Sequence, residues 1–170
     1  MKNRKLLMFS AGLLSILLIS GCGQQNVNSN TVTPPSTSGK TVVLSTDKPY
    51  QLITFEEPGC IYCEALSDEL AHMSKANPLL FSSIQWTKIS VSPDNPDTYV
   101  LTVNNHKIKG NSMELAYQFQ LMGFPTSFIL DKKGNLILRL NGYYPEETMK
   151  CVLNYVSKQL YKHESIEQAC

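Results

Sequence analysis

The sequence lacks an excess of charge of either sign, and this absence limits the partners that it can attract. Among its 170 residues, 15 basic and 14 acidic side chains nearly cancel, so no strong electrostatic field is available to bind a nucleic acid. No run of basic residues is interleaved with aromatic residues, and no glycine-rich loop has the spacing of a phosphate cradle. We therefore expect no nucleic-acid partner and no nucleotide site.

Histidine is also scarce, and this scarcity bears on metal binding. The chain has 3 histidines and 5 cysteines, whereas a structural zinc site normally needs four ligands, commonly in paired spacings. Cys60 and Cys63 form one such pair, but the other candidate ligands show no second pair. Those candidates are Cys151, Cys170, His72, His106 and His163. The spacing therefore predicts no metal site.

The sequence has a single long hydrophobic run, the stretch Leu6–Ile19. This stretch is short for a membrane span and follows the positively charged start Met1–Lys5, as in an export signal. The segment Ile19-Ser20-Gly21-Cys22 comes next and resembles the lipobox of bacterial lipoproteins. By that resemblance, residues 1–21 are a signal peptide and Cys22 is lipidated as the first mature residue.

Two alternatives to lipidation stay open. One is an ordinary secretory signal cleaved near Gly21, which leaves Cys22 as a free thiol, and the other is an uncleaved N-terminal anchor. All three interpretations export the domain, so we expect it at the cell envelope, facing the periplasm or the cell exterior. Gly23 stands where an aspartate often retains lipoproteins at the inner membrane, so the outer membrane is an option in a cell with two membranes.

The remaining chain divides into three parts. Residues 22–40 are rich in glycine, glutamine, asparagine, serine, threonine and proline, which is typical of a flexible tether. Residues 41–162 carry the apolar patterns of a globular domain, and residues 163–170 form a C-terminal tail. The predicted strands and hairpins are Thr41–Ser45, Tyr50–Phe55, Ile84–Val91, Tyr99–Val103 with Lys107–Lys109, and Thr126–Asp131 with Asn135–Asn141. The predicted helices are Ile61–Lys75, Asn111–Met122 and a last helix from Pro145 to Leu160.

The motif Cys60-Ile61-Tyr62-Cys63 lies between a predicted strand and the start of a predicted helix. Two cysteines at this spacing can close a disulfide within one helical turn. Cys60 lies at the helix N-terminus, where unpaired N–H groups and the helix dipole favour a thiolate. We expect Cys60 to attack disulfides and Cys63, deeper in the fold, to resolve the mixed disulfide. A purely structural disulfide is the alternative.

A second motif, Gly123-Phe124-Pro125-Thr126, precedes a predicted strand. Together with the first motif and with Asn141-Gly142-Tyr143, it resembles the thioredoxin superfamily, in particular exported thioredoxin-like proteins of the SoxW and Dsb types. The resemblance runs from about Thr41 to Leu160. It implies an α/β thioredoxin fold, with a central mixed β-sheet flanked by helices.

The resemblance also implies roles for residues near the cysteines. Pro125 would be cis and would face the cysteine pair, and the backbone of Phe124 would pair with an extended substrate. Tyr62 joins them as a substrate-binding residue, because a tyrosine before the second cysteine is similar to that of disulfide isomerases. Gly142 falls where the family keeps a small residue, or else is a plain turn glycine.

The sequence departs from thioredoxin at two positions before the motif. Thr54 occupies the place of the family's buried aspartate, and Glu56 that of a tryptophan. The proton relay attributed to the aspartate is therefore in question. We expect Glu56 and Glu57 to be exposed acids at a loop end, with the alternative that one of them replaces the aspartate.

Two cysteines remain outside the motif. On a helical wheel Cys151 points away from the apolar face of the last helix, and Cys170 ends the chain. The eight residues from 163 to 170 are long enough, if extended, to return to Cys151. A Cys151–Cys170 disulfide is therefore possible in an exported protein; free thiols and an intermolecular link are the alternatives.

The expected function is dithiol–disulfide exchange with protein thiols and disulfides, with the redox-active disulfide as the only cofactor. The reductase or isomerase direction is favoured, because the motif contains Ile61-Tyr62 and not the Pro-His of strongly oxidising relatives. That direction requires a membrane redox partner as electron donor. The alternatives are an oxidase with the same residues, a thiol-based binding module for metals or maturation factors, and a lipoprotein that keeps only the fold.

Overall fold

The computed structural model describes residues 38–170 of the chain. The predicted signal peptide, the predicted lipidation site Cys22 and most of the predicted tether lie outside these residues. Within the described part, no helix combines the length and the apolar character needed to cross a membrane.

A four-stranded mixed sheet forms the centre of the domain. Its strands are β2 (Tyr50–Glu56), β3 (Ile84–Ser90), β6 (Thr126–Asp131) and β7 (Leu136–Asn141), in the order β3-β2-β6-β7. β2 is parallel to β3 and antiparallel to β6, which is antiparallel to β7. β2 and β6 are buried along nearly their whole length, because both faces of the sheet are covered.

Helices cover one face of this sheet. They are α1 (Ile61–Ala76), α2 (Pro78–Ser82), α4 (Glu146–Ser157) and α5 (Ile166–Ala169), with a short 3-10 helix at Leu160–Lys162. The apolar side chains of α1 and α4 pack on alternate residues of β2, including Tyr50 and Leu52, to form the first core cluster. In this layer, the apolar residues that recur with helical spacing in α1 and α4 face those that alternate along β2.

A second, three-stranded sheet and α3 (Ser112–Gln118) contribute to the other core cluster. The strands are β1 (Thr41–Leu44), β4 (Thr98–Val103) and β5 (His106–Asn111), in the order β1-β4-β5. Their apolar residues pack with Ile53 and Phe55 of β2, which alternate with the residues of the first cluster. The long segment after β3 therefore forms a hairpin, which turns at Asn104 and Asn105, both with positive φ.

The register of the central sheet brings three chain segments to one edge, beside the end of β3. Phe55 of β2 lies opposite Thr126 of β6, which lies opposite Asn141 of β7, while Glu56 lies beside Ser90 of β3. The segments that follow β2 and β7 and the segment that precedes β6 therefore meet. They carry Cys60, Cys63, Phe124, Pro125 and Gly142, and we call this set the reactive edge.

The thioredoxin fold and its mixed sheet with flanking helices are as predicted, but two predicted helices end early. The helix predicted over Asn111–Met122 ends at Gln118, because Gln120 adopts a left-handed φ of 49°. The helix predicted to reach Leu160 ends at Ser157, because Gln159 has a φ of 60°. The predicted tail, residues 163–170, contains α5, whose apolar residues Ile166 and Ala169 pack on the first core cluster.

Candidate functional site

The Cys60–Cys63 pair forms a disulfide at the start of α1. Gly59, with a φ of 74°, turns the chain after β2. Cys60 is then the N-cap of α1, and its sulfur accepts a hydrogen bond from the backbone N–H of Cys63 at 3.2 Å. Cys60 is half-buried, whereas Cys63 is 2% exposed. One cysteine is therefore partly accessible and stands where a helix N-terminus favours negative charge, and the other is buried.

A buried polar cluster lies one helical turn behind Cys63. Glu56, at the end of β2, is 8% exposed and accepts a hydrogen bond from the hydroxyl of Ser67. Its other carboxylate oxygen lies 3.4 Å from the amine of Lys88 on β3. Ser67 follows Cys63 by four residues, so both point to the same, inner side of α1.

The expectation that Glu56 is an exposed loop acid is therefore wrong. β2 extends one residue further than predicted, to Glu56, so this side chain belongs to the strand and alternates onto the face under α1. Glu57, the next residue, is exposed as expected. Between the two acids, only Glu56 lies under α1.

Thr54, in the place of the family's aspartate, is completely buried on the same face of β2. Its hydroxyl oxygen accepts a hydrogen bond from the indole N–H of Trp86 at 3.2 Å and lies 3.4 Å from the hydroxyl of Ser127. Trp86 is partly buried against the first core cluster. Thr54 thus provides hydrogen bonds but no ionisable group, and the nearby acid is Glu56.

The segment before β6 presents a cis peptide bond between Phe124 and Pro125. The carbonyl of Pro125 accepts a hydrogen bond from the N–H of Gly142 at 2.8 Å, and the hydroxyl of Thr126 donates to the carbonyl of Gly123 at 2.7 Å. Phe124 is half-buried beside the second core cluster. Gly142, with a φ of 89°, joins the segment after β7 to the Pro125 loop.

Two tyrosines, one within the Cys60–Cys63 motif and one just after Gly142, lie close together. Tyr62 is 59% exposed, and its ring lies 6.0 Å from the ring of Tyr143, which follows Gly142. The hydroxyl of Tyr143 donates to a carboxylate oxygen of Glu69 in α1, and this hydrogen bond, followed by burial, raises the pKa of Tyr143. The hydrogen bond ties the segment after β7 to α1, beside Tyr62.

Sequence reasoning missed Arg139 on β7. Its guanidinium donates to the carbonyls of Phe119 and Gln120, at 3.2 and 2.8 Å, and to the side chain of Asn141 at 2.9 Å. It also lies 5.3 Å from the centre of the Phe128 ring. A lone arginine in an amphipathic strand gives no sequence signal of such contacts.

Cys151 and Cys170 form a second disulfide, with their Cα atoms 5.8 Å apart. Cys151 lies on α4 and Cys170 follows α5, so the bond closes a segment whose Leu160, Tyr161 and Ile166 pack on the first core cluster. His72 is exposed, and its Nδ1 lies 3.2 Å from a carboxylate oxygen of Glu146. Among residues 38–170, no three histidine, cysteine or acidic side chains are grouped as metal ligands.

A family model described as a thioredoxin-like domain matches residues 40–157, which is more than half of the chain. The protein therefore belongs to the thioredoxin-like family. With the Cys60–Cys63 disulfide at the start of α1, this membership supports a thiol–disulfide oxidoreductase in general. The chain has no significant match among curated proteins.

Solved structures with the same fold include a thioredoxin-fold protein from Helicobacter pylori. It is 23% identical, with a TM-score of 0.62, over 75% of this chain and 80% of that one. Chlamydomonas reinhardtii thioredoxin f2 is 13% identical, with a TM-score of 0.47, over 68% and 95% of the two chains. At this identity, the first of these similarities shows the fold alone.

Proposed function

We propose that this protein is an exported, lipid-anchored oxidoreductase that reduces or isomerises disulfides of other proteins. The observation that carries the proposal is the asymmetry of the Cys60–Cys63 pair, with one half-buried cysteine at a helix N-terminus and one buried cysteine. Disulfide exchange needs this division, because the attacking thiolate must reach the partner and the resolving thiol must stay close to the bond just formed.

In the reducing direction, the thiolate of Cys60 attacks one sulfur of a substrate disulfide. A mixed disulfide forms, and the other substrate sulfur leaves as a thiolate. The thiol of Cys63 then loses its proton and attacks the sulfur of Cys60, which releases the second substrate thiolate. The Cys60–Cys63 disulfide is formed, and two electrons have passed to the substrate. A membrane-bound electron donor would return the pair to the dithiol.

Glu56 is our candidate for the proton acceptor of Cys63. Its carboxylate is buried and is held by Ser67, one helical turn beyond Cys63. The amine of Lys88, 3.4 Å away, offsets part of the cost of burying the charge. We infer that Glu56, the next residue on the same face of β2, takes the place of the aspartate that thioredoxin has at the position of Thr54.

The substrate would lie along the reactive edge. The backbone of Phe124 would pair with an extended substrate segment, and Tyr62 would contact its side chains. Because the exposed Ile61 and Tyr62 present apolar surface and no dense charge, a protein with accessible hydrophobic residues is the substrate that fits. The oxidase alternative keeps these residues and reverses the electron flow.

The reduction potential of the pair tests the direction. We would equilibrate the full chain with glutathione in detergent, with Cys60→Ser as the control. A value near that of thioredoxin, about −270 mV, supports the reductase, and a value near that of DsbA, about −120 mV, supports the oxidase. A pair that does not cycle between dithiol and disulfide contradicts the proposed function.

A further inference from the structure

Arg139 uses its guanidinium to hold the turn that leads to Phe124. It donates three hydrogen bonds of 2.8 to 3.2 Å, and two of them go to the carbonyls of Phe119 and Gln120 just beyond α3. The last carbonyls of a helix have no partner within the helix, and a cation favours the negative end of its dipole. Arg139 therefore fixes the C-terminal end of α3 to β7.

The chain between α3 and β6 is then fastened at both ends. Arg139 holds Phe119 and Gln120, while the hydroxyl of Thr126 and the N–H of Gly142 hold the carbonyls of Gly123 and Pro125. The Gln120 backbone has a left-handed φ of 49°, an unfavourable conformation for a residue with a side chain. The guanidinium bond to its carbonyl supports that conformation.

We propose that Arg139 is a positioning residue that sets the Phe124 backbone for pairing with a protein substrate. The inference rests on the proposed function and adds the residue that controls preference for peptide substrates. A substrate that pairs with the Phe124 backbone depends on the position of that segment to within a fraction of an ångström. A small disulfide without peptide groups needs only the sulfur of Cys60.

The test compares two substrates on the full chain. Arg139→Lys keeps the charge but cannot reproduce the three-way contact. We expect the ratio of kcat/KM for insulin to the rate constant for hydroxyethyl disulfide to fall about tenfold, mainly through the KM for insulin, because a displaced Phe124 segment pairs less well with a peptide substrate. Lys132→Met, at the exposed turn between β6 and β7, is the matched control and leaves the ratio unchanged.

Hydrogen exchange gives a second readout that does not depend on turnover. In Arg139→Lys, the amides of residues 121–124 should exchange faster, while those of β2 keep their protection, which also shows that the variant is folded. An unchanged ratio, or equal losses with both substrates, would overturn the inference while the proposed function stands. If the unmodified protein reduces neither substrate, the proposed function fails and this inference fails with it.

Discussion

The two disulfides of this domain are the same chemical bond in different surroundings. Cys60 and Cys63 are 3 residues apart and close one turn at the start of a helix, whereas Cys151 and Cys170 are 19 apart and close a packed C-terminal segment. At the first, the cysteines lie at a helix N-terminus, at the end of the sheet that also carries the buried Glu56 and the cis Phe124–Pro125 bond. At the second, the closed segment packs its apolar side chains on the first core cluster.

The comparison of the two disulfides shows which of their properties depend on the surroundings of the bond. A bond that closes a long loop removes more freedom from the unfolded chain than a bond that closes a short one. A bond at a helix N-terminus releases a thiolate that is already stabilised. We therefore expect the Cys60–Cys63 pair to carry the chemistry and the Cys151–Cys170 pair to carry the stability.

Removing each disulfide in turn gives the largest expected effect. Cys60→Ser should lower disulfide-exchange activity more than about a thousandfold, because Cys63, the other cysteine of the reactive edge, is buried and cannot take over the attack. Cys63→Ser should accumulate a mixed disulfide with the substrate, visible as an added mass under non-reducing conditions. The double variant Cys151→Ser/Cys170→Ser should keep its activity within a few-fold. A loss in the double variant as large as that in Cys60→Ser would remove the distinction between the two bonds.

Stability should show the reverse order. By the chain-entropy estimate, loss of the Cys151–Cys170 bond lowers the free energy of unfolding by about 3 kcal/mol, and loss of the Cys60–Cys63 bond by about 2 kcal/mol. Denaturant unfolding of the double serine variants of each pair measures both. A smaller loss for the C-terminal pair would mean that its segment stays in place through packing alone.

The order of elements and the location of the reactive edge could be predicted from the sequence. The strand and helix periodicities of β2 and α1, the Asn111 capping box and the glycine at the β6–β7 turn are local signals, and the structure contains each of them. The Cys-x-x-Cys motif and Pro125 lie next to predicted strands. Adjacency along the chain was enough to place them at the ends of those strands.

The missed features depend on contacts between distant segments. The burial of Glu56 follows from a strand one residue longer than its pattern indicates and from Ser67 and Lys88 on two other elements. The contacts of Arg139 join β7 to residues about 20 positions earlier in the chain. α3 ends early because Gln120 adopts a left-handed backbone conformation, which a glutamine in the sequence does not predict. Sequence periodicity carries none of this information.

Alkaline pH should affect the C-terminal region through Tyr50. Burial, followed by its hydrogen bond with Tyr161, raises the pKa of Tyr50 to about 12 from the usual value of 10. The unfolded chain ionises first, so the stability contributed by the neutral hydroxyl is complete below pH 10. It is lost as the pH rises from 10 to 12, by about 2 kcal/mol.

Unfolding measured across this range should therefore show a steeper decline in the parent protein than in Tyr50→Phe. The Cys151→Ser/Cys170→Ser variant tests whether this decline depends on the second disulfide, because Tyr161 belongs to the segment that the disulfide closes. If that segment loosens, the additional decline between pH 10 and 12 becomes smaller. The same decline in all three proteins would assign it to other groups.

The smallest effect is expected at the reactive pair, from Glu56→Gln. Glutamine can still accept the hydrogen bond of Ser67 but cannot take a proton. The resolving attack by Cys63 should therefore slow about tenfold near neutral pH, a smaller rate effect than that of a full general base. The attack by Cys60, measured separately in a Cys63→Ser background, should not slow, because a nearby negative charge opposes thiolate formation and its removal acts the other way. Glu57→Gln is the matched control, since its side chain is exposed. Equal effects of the two substitutions on the resolving step would mean that overall charge, and not the buried carboxylate, sets its rate.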